Sequence, residues 1–242
     1  MPDRAADLRS ERRYFTTSAI LTTLLAIAGF TPHYLMPNAS AGMFAPLTPF
    51  LVFHASLMAS WMAIFLVQSL LISAGWLAWH KKLGIAAMVI TILIVPTGCM
   101  ATLIPAEHAI IRHTPEMLQR LNVVALETTQ MLLFGGMVAM AIMKRNRPAV
   151  HKRLMLLATL SILPNAIVRL ALIGVLPFYY NWEILALWAF MILCFVAADS
   201  LRIGRLHSTF AAGAPVAIGA LVLAQIVGTS GPWVHFWVQS VG

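Results

Sequence analysis

Two charged side chains within long apolar stretches are the first candidates for chemistry in this chain. Glu127 and Arg169 each lie among hydrophobic residues. A charge in the hydrocarbon core of a membrane costs at least ~2.5–3.5 kcal/mol, so each requires a partner or a role. Both are equally far from Pro148, since 148 − 127 and 169 − 148 are both 21. In an antiparallel hairpin they would lie at one depth, and we expect an ion pair that either fixes helix register or serves a ligand or a proton.

Further polar residues extend this pattern. His54, Trp61 and Gln68 recur every seven residues, a spacing that keeps them on one helix face. Asn165 lies four residues before Arg169 and shares its face. Together they predict a polar cavity in one half of the membrane that can bind a quinone or haem, with Glu127 or His54 relaying a proton. The candidate ligand-binding residues are His54, Trp61, Gln68, Glu127, Asn165 and Arg169.

A second layer of titratable side chains falls at the basic ends of the apolar stretches: His80, His151, Asp199 and His207. Three imidazoles and one carboxylate are ligands that Zn²⁺ or Fe²⁺ accepts. No HExxH or HxxxH pattern places two of them on one helix face, so a metal site requires separate turns to converge. The alternative is that these histidines cap helices or contact lipid headgroups.

The elements that must position these residues are transmembrane helices. Of the 242 residues, 60% are hydrophobic and 10% are charged, whereas a soluble domain has about 25% charged residues. This composition excludes a soluble domain, a disordered chain and a nucleic-acid-binding domain. A bilayer core of ~30 Å requires about 20 helical residues. The stretches that meet this requirement are Tyr14–Thr31, Leu47–Gly75, Leu83–Ile104, Leu121–Met143, Leu154–Leu176, Ile184–Leu201 and Ala211–Ser230.

The predicted fold is therefore all-α, a polytopic membrane helix bundle of about seven transmembrane helices in one domain, 1–242. Its other parts are a basic N-terminal segment at 1–13, a loop at 105–120 and a tail at 231–242. Every lysine and arginine except Arg112, Arg120 and Arg169 falls on the side of the N-terminus. The positive-inside rule then predicts a cytoplasmic N-terminus, with the loop and the C-terminus periplasmic.

Proline and a repeated turn add detail to this topology. Pro164 removes the amide that would bond to Leu160, which predicts a kink whose freed carbonyls Ser161 and Asn165 can satisfy. The turns HKKLG, from His80, and HKRLM, from His151, are similar. They indicate a possible duplication of the hairpin formed by spans two and three in spans four and five. Alternatively, basic turns on one face resemble each other through the positive-inside rule alone.

Two longer runs carry a resemblance to a known family. HASLMASWMAIFLVQSLLISAGWLAWHKKLG, from His54 to Gly84, resembles a widespread bacterial family of multi-spanning membrane proteins, a domain of unknown function with a His–Trp–Gln helix and an HRRLG-like turn. HKRLMLLATLSILPNAIVRL, from His151 to Leu170, is similar to a second signature of that family. A third signature is matched by Asp199, Arg202, Arg205 and His207.

This resemblance implies a multi-pass protein of the bacterial inner membrane. The family's hairpins are distantly similar to haem-copper oxidase assembly proteins and to b-type cytochromes. Those cytochromes imply haem held by histidines on facing helices at one depth.

These observations leave three main functions open. The first is a redox-associated or assembly module that binds quinone or haem. The second is an accessory or structural subunit of a larger membrane complex, with no chemistry of its own. The third is a metal-dependent lipid-processing enzyme that uses the histidine–aspartate layer. A transporter ranks below these, because the two similar hairpins share one orientation. The expected partners are membrane lipids and other membrane subunits, not nucleic acid.

Overall fold

The computed structural model describes residues 4–35, 47–177 and 181–241, and these residues form nine α-helices without a strand. The helices are α1 Arg4–Leu35, α2 Pro49–Ser73, α3 Leu77–Ile111, α4 Met117–Met143, α5 Pro148–Ser161, α6 Pro164–Leu172, α7 Asn181–Ile203, α8 Ser208–Gly228 and α9 Gly231–Val241. The expected all-α fold is confirmed for this part of the chain.

Seven helical segments are long and apolar enough to cross a membrane, and each contains most of one predicted stretch. Six of them are single helices, and the seventh is formed by α5 and α6 together over Pro148–Leu172. Because backbone polar groups must be paired inside hydrocarbon, long helices are the expected solution. The structure is that of a helical membrane bundle.

The predicted loop at 105–120 is wrong in extent. Helix α3 continues through Pro105 to Ile111, and only residues 112–116 connect it to α4. Packing explains the extension, because Ala106 and Ile110 are buried against Leu121 and Val124 of α4. Apolar contacts of this kind stabilise additional helical turns beyond the apolar stretch itself.

The segment predicted as a tail is also helical over its described residues. Helix α9 packs back on the ends of α3 and α4 rather than extending away from them. The Trp233 indole Nε1–H donates to the Leu121 carbonyl at 3.0 Å. The predicted tail at 231–242 is thus part of the folded bundle as far as Val241.

Helix α5 is the central element of the bundle. It packs against α1, α4 and α8, and 72% of the most apolar stretch of its span is buried, against 11% for α2. Leu156, Leu157 and Leu160 have no exposed surface. Helices α1, α4 and α8 therefore cover much of the surface of α5.

The kink predicted at Pro164 is a complete break, since α5 ends at Ser161 and α6 begins at Pro164. The carbonyl of Leu160, which a helical amide at position 164 would have bonded, accepts the Trp188 indole Nε1–H at 2.7 Å and the Leu163 backbone N–H at 3.2 Å. Ser161 donates to the Ala158 carbonyl at 2.7 Å, three residues back in α5, and not to the Leu160 carbonyl that Pro164 leaves free. A tryptophan from α7 thus supplies one of the two donors at the break.

The break allows α6 to approach α1 very closely at Gly29. A Cβ atom at Gly29 would lie 2.5 Å from the Ala166 carbonyl oxygen. Only a residue without a side chain permits this backbone approach. Gly29 therefore permits the close contact between α1 and α6.

Candidate functional site

The ion pairs that join described residues of different helices lie at one end of the bundle, which we call the basic end. Here the first turns of α1 and α5 meet the last turns of α2 and α7. Arg12 donates from Nη1 to the Ser73 carbonyl at 3.2 Å, and Lys152 forms an ion pair with Glu11. Two groups of side chains at this end have the geometry of sites: an Asp199 cluster and a histidine pair.

The Asp199 cluster consists of Arg153, Asp199 and Arg202. Asp199 is fully buried, and Arg153 is 2% exposed. Arg153 Nε donates to Asp199 Oδ2 at 2.6 Å, and Arg202 Nη2 donates to Oδ1 at 2.6 Å. Arg153 Nη1 also donates to the Ala149 carbonyl at 2.7 Å. The aspartate is therefore saturated by charge-assisted hydrogen bonds that join α5 to α7.

Aromatic rings extend the cluster to two more helices. The Arg153 guanidinium lies 5.8 Å from the ring centroids of both Phe15 on α1 and Phe210 on α8. The Arg202 guanidinium lies 5.7 Å from the ring of Tyr14, also on α1. Cation–π contacts of this kind stabilise buried guanidinium groups. The cluster thus connects four helices at the basic end.

His207 has a separate structural role at the start of α8. Its Nδ1 accepts the backbone N–H of Thr209 at 3.1 Å, so the imidazole caps the helix. Burial lowers the pKa of His207 below the usual histidine value, and the nearby Arg153 charge lowers it further. An accepting ring nitrogen requires the neutral imidazole, which is consistent with that direction.

The histidine pair consists of His80 at the start of α3 and His151 at the start of α5. Their ring centroids are 6.5 Å apart and their planes cross at 87°. His151 Nδ1 donates to the Ala141 carbonyl on α4 at 2.8 Å, which leaves its Nε2 as the nitrogen with a lone pair. His80 Nδ1 is buried and has no hydrogen-bond partner. Both rings therefore retain capacity for a ligand.

Gln68 on α2 lies beside the histidine pair. Its Nε2 donates to the His80 carbonyl at 3.1 Å, and its Oε1 is buried without a partner. Unsatisfied buried polar atoms are uncommon in folded proteins and require an explanation. Two such atoms beside one histidine pair make this the strongest candidate for a ligand site.

The predicted zinc or iron site is not formed. Across residues 4–35, 47–177 and 181–241, no group of three or more histidine, cysteine, aspartate or glutamate side chains could hold a metal ion. The four predicted ligands divide into the pair His80 and His151, the arginine-bound Asp199, and the helix cap His207. The reason is electrostatic: two arginines occupy both oxygens of the only carboxylate in the set.

At the opposite end of the bundle, we predicted that polar residues of α2 share one cavity. The structure gives each of them a different partner. His54 Nδ1 lies 2.9 Å from Thr97 Oγ1 on α3. Trp61 is 1% exposed and its Nε1 donates to Thr159 Oγ1 on α5 at 3.3 Å. Gln68 belongs to the histidine pair, as described above. All three residues therefore contact other helices, but they do not form one site.

The ion pair expected between Glu127 and Arg169 is absent from the ion pairs of the described residues. The Arg169 guanidinium instead lies over the ring of Phe30 on α1, 4.6 Å from its centroid. The two charges still influence each other electrostatically. The prediction from the equal distance to Pro148 failed because α6 is a separate helix that packs against α1. Asn165 lies half-buried in the first turn of the same short helix.

Sequence reasoning missed Arg153 as a site residue. It was assigned to the basic turns, and no local spacing connects position 153 to position 199. The signal that could have revealed it is the isolated Asp199 in an apolar span, which required a cationic partner from another helix.

Comparison with protein-family models, curated proteins and solved structures found no match to this chain. Fold and site therefore define the class by themselves: a helical membrane bundle with seven candidate spans, whose ion pairs between helices lie at the basic end in the described part of the chain.

Proposed function

We propose that this protein is a membrane-embedded redox module that binds haem between His80 and His151. The observation that carries the proposal is the 6.5 Å separation of the two ring centroids. Metal–nitrogen bonds to imidazole are about 2.0 Å, so a metal held by two imidazoles separates their centroids by roughly 6 Å. Histidines on two different helices at one depth are also what the resemblance to b-type cytochromes implies.

The hydrogen bonds of the pair support the same assignment. A histidine that binds a metal typically donates its other ring N–H to a carbonyl or carboxylate. His151 does so through Nδ1 to Ala141. The buried, unpartnered Nδ1 of His80 supplies a second nitrogen. Haem bound here would supply one-electron transfer.

The surrounding helices hold the two histidines in place. Helix α4 packs against both α3 and α5, and its last turn provides the carbonyl that orients His151. Gln68 holds the backbone of His80 from α2. Preorganisation of this kind fixes ligand orientation before a cofactor binds.

Visible spectroscopy tests the proposal. Protein purified from haem-replete cells should show a Soret band and a reduced-minus-oxidised difference spectrum, with pyridine extraction giving the amount of haem. His80→Ala and His151→Ala should each lose the bound haem, whereas His54→Ala, which removes a histidine of α2, should retain it. Colourless wild-type protein, or full haem content in both variants of the pair, would refute the assignment.

A second candidate function is an accessory subunit without chemistry. The observation in its favour is that His54 and Trp61 are hydrogen-bonded within the chain. Haem-free protein that co-purifies in a larger complex, with a size unchanged by His80→Ala, would favour this function over the redox module.

We further propose that the protein lies in the bacterial inner membrane with its basic end in the cytoplasm. The distribution of lysine and arginine supports this orientation. Alkaline phosphatase fused after Gly242 should be active, and the same enzyme fused after Arg145 should be inactive. The reverse result would overturn the orientation.

A further inference from the structure

We propose that the basic end carries a binding site for an anionic phospholipid, in a cleft between α1 and α2. The cleft has a volume of about 350 Å³. Its walls are formed by Arg9, Arg12, Arg13, Thr16, Thr17 and Ser73. The site does not involve the histidine pair and does not depend on the proposed redox function.

The cleft has the chemistry of a phosphate site. Positions 9, 12, 13 and 16 follow an i, i+3, i+4, i+7 pattern, so they share one face of α1. Thr16 Oγ1 lies 2.7 Å from Ser73 Oγ, and Arg12 donates to the Ser73 carbonyl. These bonds fix the wall of the cleft, while guanidinium groups are suited to bind phosphate oxygens.

The carboxylate next to Arg12 in sequence is paired with another helix. Glu11 is the acidic residue adjacent in sequence to Arg12, and its carboxylate forms an ion pair with Lys152 of α5. The side chains of Arg12 and Arg13 are exposed at the cleft.

The same face of α1 continues as an apolar stripe, which favours a lipid over free phosphate. Ile20, Leu24 and Ile27 follow Arg13 and Thr16 at helical spacings of three or four residues. Their exposed fractions are 40%, 56% and 56%. A phospholipid with its phosphate at the arginines can lay an acyl chain along these residues. Free phosphate has no apolar part that could contact these residues.

The turn that follows Ser73 lies at the expected depth for headgroups. Trp76 and Trp79 are 62% and 61% exposed, and the Lys82 ammonium lies 5.0 Å from a Trp79 ring centroid. Exposed tryptophans concentrate at membrane interfaces, and basic clefts on the cytoplasmic side bind anionic lipid headgroups.

Lipid retention measured by native mass spectrometry tests the site. Purified protein is incubated in mixed micelles that contain equal amounts of phosphatidylglycerol and phosphatidylcholine. The double variant Arg12→Gln/Arg13→Gln is compared with Arg145→Gln/Arg147→Gln. The control pair is exposed on the α4–α5 turn and removes the same charge from the same end.

We expect wild-type protein to retain phosphatidylglycerol selectively. The α1 variant should lose roughly thirtyfold in this preference, given about 1 kcal/mol for each of its two basic residues near the surface, while the control keeps it within about twofold. Equal loss in both variants, or no preference in the wild type, would overturn the proposal. Glycerol phosphate that displaces bound lipid at equal concentration would also overturn it, because the acyl stripe would then contribute nothing. An α1 variant that elutes as an aggregate is replaced by Arg13→Gln alone, judged by the same criterion.

Discussion

Replacement of Asp199 by alanine should be among the most damaging single changes at the basic end. The substitution removes the partner of Arg153, whose side chain is almost completely buried. Breaking a buried ion pair from one side costs about 3–5 kcal/mol, because the remaining charge stays uncompensated. Arg202 is more exposed at 14% of its side chain and can turn to water, so most of the cost comes from Arg153.

The free energy of unfolding can be measured by titration of mixed micelles with SDS. The exposed Asp7 near the start of α1 provides the control, and Asp7→Ala should change stability by less than about 0.5 kcal/mol. The double variant Arg153→Met/Asp199→Leu should recover most of the loss, since apolar replacement of a buried pair is often neutral or stabilising. A cost below about 1 kcal/mol for Asp199→Ala would refute the reasoning, as would a double variant no more stable than the single one.

Three further predictions concern helix contacts, and the same titration measures them. Gly29→Ala should lower the free energy of unfolding by about 1–3 kcal/mol through overpacking. Gly136 faces open space, so Gly136→Ala should be neutral or stabilising. Equal effects of the two substitutions would contradict the close approach of α1 and α6. Trp188→Phe should cost about 0.5–1.5 kcal/mol, because the Leu160 carbonyl loses one of its two donors and keeps the Leu163 N–H. An unchanged stability would show that the break does not need the indole donor. The pKa of His207 is lowered in the folded protein, so the unfolded chain binds the proton more tightly, and the free energy of unfolding should fall as the pH drops below about 6.5. His207→Asn caps the helix without titrating and should remove this pH dependence. An identical pH profile in the variant would contradict the prediction.

The spans were predictable from the sequence because each depends on a local property. An apolar run of sufficient length must be helical in a bilayer, whatever the rest of the chain does. The break at Pro164 was predictable for the same reason, since the missing amide belongs to that residue alone. The extension of α3 past Pro105 was not, because it depends on contacts with α4.

The site was less predictable because it depends on which helices are neighbours. The sequence alone indicated that Asp199 and the histidines lie at one depth, but not that Arg153 faces Asp199. Depth matching also failed for Glu127 and Arg169, because a short helix after a break does not continue the direction of the one before it. Pairing between helices is set by packing at places such as Gly29, which no periodicity reveals.

The central position of α5 determines how this chain can vary. A side chain on α5 must match the shapes of several neighbours at once, so even a change of one methyl group is felt there. A side chain on α2 is seldom fully buried, and acyl tails accept any apolar shape. Related sequences should therefore diverge fast along α2, outside its polar positions, and slowly along α5.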